Sequence, residues 1–256
     1  MNLHITKWYG RLGNNITQIR NCLHIAIYYK YNILLPKHNF FKREYIIINN
    51  DINKNSDKLI DDNFYYFKNK IKNIDDKIFI TNTEEVIKIL KDNFVLNNIN
   101  INLQLNKDDL LIHIRGGDVF NKKPHKSYIM PPLSYYKNII DSNKFKNIYI
   151  ISEDRKNPCI DILLKLYPNI IFKSQKLEED IKLILNTFNI VESFGTFIPN
   201  LMFLSEKIIN IYKPSYQFDY DYKYNCNVNY IDLDDYKNKI GEWKNNNEQL
   251  KIMLSY

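Results

Sequence analysis

The chain reads as an α/β protein of two lobes, for three reasons. Its second half alternates apolar runs with segments of helical spacing, its first half opens as strand, glycine loop and helix, and its few glycines fall where such strands would end. In the second half, runs fit for buried strands lie at 109–114 (DLLIHI), 147–152 (NIYIIS), 168–172 (PNIIF), 188–191 (FNIV) and 207–212 (KIINIY). Between them, 133–142, 157–166, 177–186 and 197–205 carry helical spacing; Ile160, Leu163, Leu164 and Leu166 fall largely on one helical face. Strands alternating with helices of about ten residues indicate βαβ units and a parallel sheet.

The first half carries the same elements less regularly. A short strand at 4–6 (HIT) leads into the glycine loop, and 14–31 forms an amphipathic helix. Strands are expected at 32–35, 45–48 and 77–80 (KIFI), and a helix at 83–94. The Asn-, Lys- and Asp-rich stretch 49–76 reads as a surface insertion, and 95–109 as the connection between halves. At the end, 234–254 reads as one helix with acidic residues at its start. The expected organisation is therefore a lobe over 1–107, a second over 108–215, and a tail with a helix packing back over 216–256.

Composition narrows the function classes. Hydrophobic residues make up 45% of the chain, enough for a packed core, and no apolar stretch reaches the roughly 18 residues a membrane span needs. The start, MNLHITKWYG, is too short in apolar residues for a signal peptide. Cys22, Cys159 and Cys226 are odd in number, far apart and without CxxC spacing, which fits a reduced, cytoplasmic protein with no disulfide framework or zinc site. The net charge of +7 suits a lysine-coated surface or an anionic ligand such as a nucleotide diphosphate. Nucleic acid is not the expected partner, because the lysines are spread along the chain and no binding motif occurs.

Glycine and arginine are the informative residues. At the usual frequency of about 7%, a chain of this length would hold roughly 18 glycines, yet it has 6. Five of the 6 lie in YGRLGNN (9–15), HIRGGD (113–118) and ESFGTF (192–197). Asn, Ile, Lys and Tyr abound instead, as an AT-rich genome would dictate, so a surviving Gly or Arg points to a position that needs it. All three stretches follow expected strands, and ligands of open α/β sheets bind beyond the carboxyl ends of strands.

Each stretch offers chemistry beside a plainer role. In HIRGGD, Arg115 can bind a phosphate through a bidentate, charge-assisted pair, next to His113 and the sharp turn of Gly116 and Gly117. Asp118 can orient Arg115, cap the loop or accept a proton. In ESFGTF, Ser193, Gly195 and Thr196 precede a helix, as in an anion site or as simple N-capping. In YGRLGNN, Gly10, Arg11, Gly13 and Asn14 follow the first strand; Asn14 can cap the helix or contact a diphosphate. An activated hydroxyl needs a base within hydrogen-bonding reach. Asp118, His125 and Glu153 are the candidates, although ISED (151–154) also reads as a helix N-cap. Asp219/Asp221 and Asp232/Asp234 are formal D-x-D matches away from the glycine stretches, and no metal site is expected. His4, His24 and His38 lack ligand spacing and read as structural or surface residues.

In order and spacing, GRLGNN, HIRGGD, YYKNII and DIKLIL leading to SFGTF resemble the α-1,2-fucosyltransferases, glycosyltransferase family 11, over about 190 residues. This family is related more distantly to the α-1,6- and protein O-fucosyltransferases. The resemblance implies a GT-B-like fold, two Rossmann-like lobes with the donor site in the cleft, and inverting, metal-independent transfer from a nucleotide sugar, GDP-fucose, to a glycan or lipid-linked glycan. No cofactor beyond the donor is implied. Arg115 would bind the β-phosphate and stabilise the leaving diphosphate, and His113 would lie on the nucleoside side. Ser193 and Thr196 would contact the phosphates, and the Gly10–Asn14 loop would face the diphosphate from the other lobe. Three departures leave the donor base and sugar open: Gly116 stands where the family commonly has a second arginine, IPN (198–200) replaces an aromatic pair, and KSQK (173–176) holds no acidic residue. A glycosyltransferase using another deoxysugar, or a non-catalytic nucleic-acid or glycan binder, are the alternatives. The source expected for such a cytoplasmic enzyme is a bacterium or a large virus.

Overall fold

The computed structural model describes residues 2–48, 57–58, 75–96, 104–217 and 226–256. It divides into two compact units, Met1–Asn98 and Ile99–Tyr256.

The first unit is built on β1 (Asn2–His4), α1 (Leu12–Tyr29), β2 (Asn32–Leu34), β3 (Tyr45–Ile46), β4 (Asp57–Lys58) and α2 (Thr83–Asn93). Its sheet runs β3-β2-β1-β4, with β1 parallel to both β2 and β4 and only β3 antiparallel. Helix α1 buries Ile16, Ile19, Leu23 and Ala26 at i, i+3, i+7 and i+10, the stripe expected of an amphipathic helix against a sheet. KIFI is not a strand. Residues Asp76–Ile80 form a 3₁₀ helix, entered where the Asp75 carboxylate accepts from the Lys77 amide at 2.9 Å. An apolar run of four residues cannot by itself distinguish a strand from a helical turn. Most of the polar stretch 49–76 and part of 95–109 lie outside the described residues.

The second unit contains β5 (Leu110–His113), α3 (Leu133–Asp141), β6 (Ile148–Ile151), α4 (Cys159–Leu166), β7 (Ile170–Lys173), α5 (Leu177–Asn186), β8 (Asn189–Val191), α6 (Phe197–Met202), β9 (Asn210–Pro214), β10 (Asn227–Ile231), α7 (Asp234–Ile240) and α8 (Asn247–Ser255). Its sheet is wholly parallel, in the order β10-β9-β8-β5-β6-β7. Counted within the unit this is 3-2-1-4-5-6 read from β7, the order of the Rossmann fold. The expected α/β fold, with a parallel sheet in the second half, is thus present. Leu110, Leu111, Ile112, Ile150, Ile151, Ile190 and Val191 are all fully buried, as central strands covered on both faces must be.

The C-terminal region differs from the single helix expected. Its 227–231 stretch adds an edge strand to the sheet, and the helix over 234–254 breaks at Gly241 into α7 and α8. The break admits Trp243, which is completely buried. Its indole Nε1 donates to the Val119 carbonyl at 2.7 Å and its backbone amide to the Lys126 carbonyl at 2.8 Å. The Tyr236 hydroxyl donates to Met130 at 2.8 Å, and Lys126 pairs with Glu242 at 2.9 Å. The tail therefore grips the loop that leads away from the glycine pair following β5. Asp232 and Asp234 serve the start of α7: Asp232 Oδ1 accepts from the Asp234 amide at 3.1 Å, and Asp234 Oδ1 from the Ser215 hydroxyl at 2.8 Å. Asp219 and Asp221 lie outside the described residues.

Candidate active site

In the 3-2-1-4-5-6 order the strand sequence reverses between β5 and β8, and the crevice at their carboxyl ends is where such sheets bind ligands. Both of the second unit's glycine stretches leave the sheet there. In register, Ile112 faces Val191 across the pair, so HIRGG and ESFG run out side by side.

Arg115 sits at the centre of this edge, just past the end of β5. Its NH1 donates to the Phe194 carbonyl at 3.3 Å, its NH2 lies 3.3 Å from both Asp118 oxygens, and its guanidinium stacks 4.3 Å over the Tyr128 ring. The Arg115 carbonyl accepts from the buried Asn157 amide at 3.2 Å. Backbone and fork are thus both seated, with the side chain 18% exposed against 45% for its Asp118 partner. A guanidinium held in place in this way suits an oxyanion, because little rotamer entropy remains to be lost.

The glycines take their meaning from close approach. A Cβ on Gly116 would meet the Asp154 carboxylate and come within 3.3 Å of Ser152 Oγ; one on Gly117 would meet Glu153. The pair therefore lets the Ser152–Asp154 turn after β6 lie flat against the turn after β5, and the Gly117 amide donates to Asp154 Oδ1 at 3.2 Å. Gly195 has φ +124°, and a Cβ there would stand 2.5 Å from Arg115 NH1, so no other residue leaves the guanidinium its seat.

Of the other residues in HIRGGD and ESFGTF, His113 packs 5.5 Å from the Phe197 ring. Burial, reinforced by the Arg115 charge, pushes its imidazole down to about 3, which keeps it neutral at physiological pH. Ser193 departs from expectation: it is buried, and its Oγ faces the buried Tyr136 hydroxyl in the interior. Thr196 holds the N-cap position of α6 but its side chain makes no capping bond, and α6 is only 6 residues long. The candidate for an anion site is therefore Arg115 and not that helix end.

The base candidates separate. Asp118 is tied to Arg115. Glu153 is exposed beside Gly117. His125 is exposed, its Nδ1 2.8 Å from Ser127 Oγ, and its ring lies 4.7 Å from Tyr128, which also packs against Arg115 and Phe194. The N-cap reading of ISED fails. Helix α4 begins at Cys159 after Pro158, and Asn157 serves its first turn by accepting from the Cys159 amide at 3.0 Å. Asp154 instead accepts from the Lys156 and Gly117 amides.

In the first unit the glycine loop is held by its own helix. Asn15 and Gln18 of α1 bind the loop backbone: Asn15 Nδ2 donates to the Tyr9 carbonyl at 3.1 Å, Gln18 Oε1 accepts from the Tyr9 amide at 2.8 Å, and Gln18 Nε2 donates to Lys7 at 3.3 Å. Arg11, exposed, occupies the N-cap position. Asn14 is therefore not the cap but lies inside the first turn, against Gly10, while the Gly13 carbonyl accepts from Thr17 at 3.1 Å. His24 and His38 are structural: His24 Nδ1 lies 2.9 Å from the Thr81 carbonyl, and His38 Nε2 3.3 Å from Asn15 Oδ1.

Neither a protein-family model nor a curated protein sequence matches the chain. Among solved structures it is similar to that of the α-1,6-fucosyltransferase NodZ soaked with GDP-fucose, at 9% identity and a TM-score of 0.44, covering 86% of this chain and 95% of that one. Likeness at this level says nothing of the chemistry, which has to come from the residues.

Sequence reasoning missed four residues of the edge. Tyr128 and Asn157 seat Arg115, while Glu192 and Gln217 are both buried and joined through a 2.5 Å hydrogen bond from Gln217 Nε2 to Glu192 Oε1. Glu192 left a signal, being a carboxylate directly after the apolar run FNIV. Gln217 left none, since it lies past the end of β9 and meets Glu192 only because β9 pairs with β8. Among the described residues no group of three or more His, Cys, Asp or Glu side chains could hold a metal ion, and no helix is long and apolar enough to cross a membrane.

Proposed function

We propose that the chain is an inverting, metal-independent glycosyltransferase that moves fucose from GDP-fucose to a hydroxyl of a glycan or lipid-linked glycan. The observation that carries this reading is the placement of Arg115: the single arginine of HIRGGD is seated at the switch point of a Rossmann sheet, on a glycine whose Cβ would displace it. The resemblance of the three motifs to the fucosyltransferases supplies the reaction class.

In this reading the acceptor oxygen attacks the anomeric carbon from the face opposite the diphosphate. The bond from that carbon to the phosphate oxygen breaks, and its electron pair leaves on the diphosphate. Arg115 meets that charge as it grows, in a partly desolvated site where a fixed donor counts for more than in water. Asp118, engaged with Arg115, orients the guanidinium. His125 and Glu153 are then left to take the acceptor's proton, and neutral His113 offers the nucleoside a ring without adding charge. The enzyme would act in the cytoplasm of a bacterium or of a virus-infected cell.

Thermal unfolding against GDP, UDP, dTDP, CMP and S-adenosylmethionine, with and without EDTA, tests the proposal. Ligand at 100 times its dissociation constant stabilises by about 2.7 kcal/mol, roughly 5–11 °C for a chain of this size. A selective shift with GDP that EDTA leaves intact is expected. A shift with UDP or dTDP instead would retain the glycosyltransferase and change its sugar. No shift with any diphosphate would sink the reading. A second reading, a non-catalytic glycan binder, draws on Gly116: where the resemblance expects another arginine, the Asp154 carboxylate occupies the space. It requires glycan binding with no donor turnover.

A further inference from the structure

Behind Arg115 the unit buries a carboxylate that the proposed chemistry does not use. Glu192, 1% exposed at the carboxyl end of β8, accepts from Gln217 Nε2 at 2.5 Å. Gln217, 3% exposed, spans Gly195: its Nε2 also donates to the Gly195 carbonyl at 2.8 Å, and its Oε1 accepts from the Gly195 amide at 3.5 Å. The Gly195 amide and the Phe194 carbonyl belong to one peptide group. In a trans peptide these point in opposite directions, and on the far side the Phe194 carbonyl accepts from Arg115 NH1 at 3.3 Å. One peptide plane is thus held between Gln217 and Arg115.

We propose that Glu192 is a positioning residue: acting through Gln217, it sets the orientation of the Phe194–Gly195 peptide and so fixes the seat of Arg115. The chemistry dictates the direction of each bond. A carboxylate only accepts, so Gln217 must turn its NH₂ toward Glu192. Its oxygen is then left for the Gly195 amide, and the Phe194 carbonyl is directed at the guanidinium. With the amide reversed, Gln217 Oε1 would face a carboxylate oxygen, and both Gly195 contacts would pair like with like. Gly195, with φ +124° and no Cβ, is where a peptide can turn over easily, so its orientation has to be imposed from outside.

That Arg115 receives the diphosphate rests on the proposed function; that Glu192 seats Arg115 does not. The chain has five arginines, so the Nε–Hε region of an ¹⁵N NMR spectrum is simple, and Arg115→Lys identifies the Arg115 signal by its loss. In ligand-free Glu192→Gln that signal is expected to shift and broaden. GDP is expected to bind about tenfold more weakly, the scale of one charge-assisted hydrogen bond, and guanosine as before. Gln217→Met, similar in length and without polar ends, should reproduce both effects should Glu192→Gln not fold. A merely structural role would lower the unfolding temperature but would affect GDP and guanosine alike and leave the Arg115 signal in place. An unchanged Arg115 signal in a folded variant overturns the inference. Should the wild type bind no diphosphate, the proposed function fails while the Arg115 signal still decides the role of Glu192.

Discussion

The glycine loop of the first unit and the carboxyl edge of the other unit share a glycine-rich, polar sequence but differ in construction. In the loop most of the polar contacts are local: α1 reaches back through Asn15 and Gln18 to hold Lys7 and Tyr9, and Asn14 packs on Gly10. At the edge, residues far apart in the chain meet, with Arg115 touching Asp118, Tyr128, Asn157 and Phe194, and Gly116 and Gly117 opposing Asp154 and Glu153. A loop stabilised by its own helix can be explained without a ligand. An edge to which several crossovers deliver charge at a switch point is harder to explain as packing alone.

The two tryptophans give the largest test of that contrast. Trp243 is fully buried and holds the Val119 and Lys126 carbonyls, whereas Trp8 is half-buried, donates to Lys37 at 3.1 Å and stacks on Phe41. Trp243→Ala should cost about 3–5 kcal/mol, with the amides of 117–128 losing protection from hydrogen exchange. Trp8→Ala should cost about 1 kcal/mol. Denaturant unfolding followed by circular dichroism measures both, and equal costs would break the comparison.

Next in size is the arginine pair. Arg115→Ala should weaken diphosphate binding by about a hundredfold, since a charge-assisted bidentate contact is among the strong ones, with little change in unfolding temperature. Arg11 is exposed, and Arg11→Ala should cost no more than about fivefold, as for a solvent-screened charge. Calorimetric titration of both variants with GDP separates them; wild-type affinity in Arg115→Ala would remove the basis of the proposed function.

How much of this was legible follows from the range of the interactions. Strand and helix alternation over 109–212 was readable because buried parallel strands are continuous apolar runs. HIRGGD and ESFGTF stood out because composition had removed glycine elsewhere. What stayed hidden was set by tertiary partners. Ser193 turned inward onto Tyr136, because a position after a buried strand can face either way, and the break at Gly241 depended on Val119 and Lys126 needing Trp243. Strand β10, NVNYI, alternates polar and apolar residues as a sheet edge allows, and so lacked the continuous run that marked the others.

A smaller effect separates two glycines with positive φ. Gly195→Ala and Gly10→Ala each place a side chain in the left-handed region, at φ +124° and +70°, and each should cost about 1–2 kcal/mol. Only the first puts its methyl 2.5 Å from Arg115 NH1; the other meets Asn14. Similar losses of stability, with GDP affinity reduced in Gly195→Ala alone, would sharpen the contrast. A matching loss of affinity in Gly10→Ala would erase it.

The smallest expected effect is one of pH, and it distinguishes a group at the edge from one outside it. His113 lies at the edge with its imidazole driven down to about 3 by burial and by Arg115. Below its ordinary value of 6.5 the unfolded chain takes up a proton that the folded chain refuses, so stability is lost as pH falls from 6.5 toward 3. Asp180, on α5, has its carboxyl raised to about 7 by burial, with Gln175 pulling the other way and Glu179 adding to the rise. The folded chain holds that proton and the unfolded chain does not, so this contribution is full below 3.8 and is lost as pH rises through 7. Asp180→Asn should therefore stabilise at pH 8, by at most about 1 kcal/mol, and do nothing at pH 3.5. His113→Asn should flatten the acidic limb and leave the neutral one. Unfolding midpoints of wild type and both variants between pH 3.5 and 8 measure the two limbs separately. If Asp180→Asn flattened the acidic limb instead, both assignments would fall together.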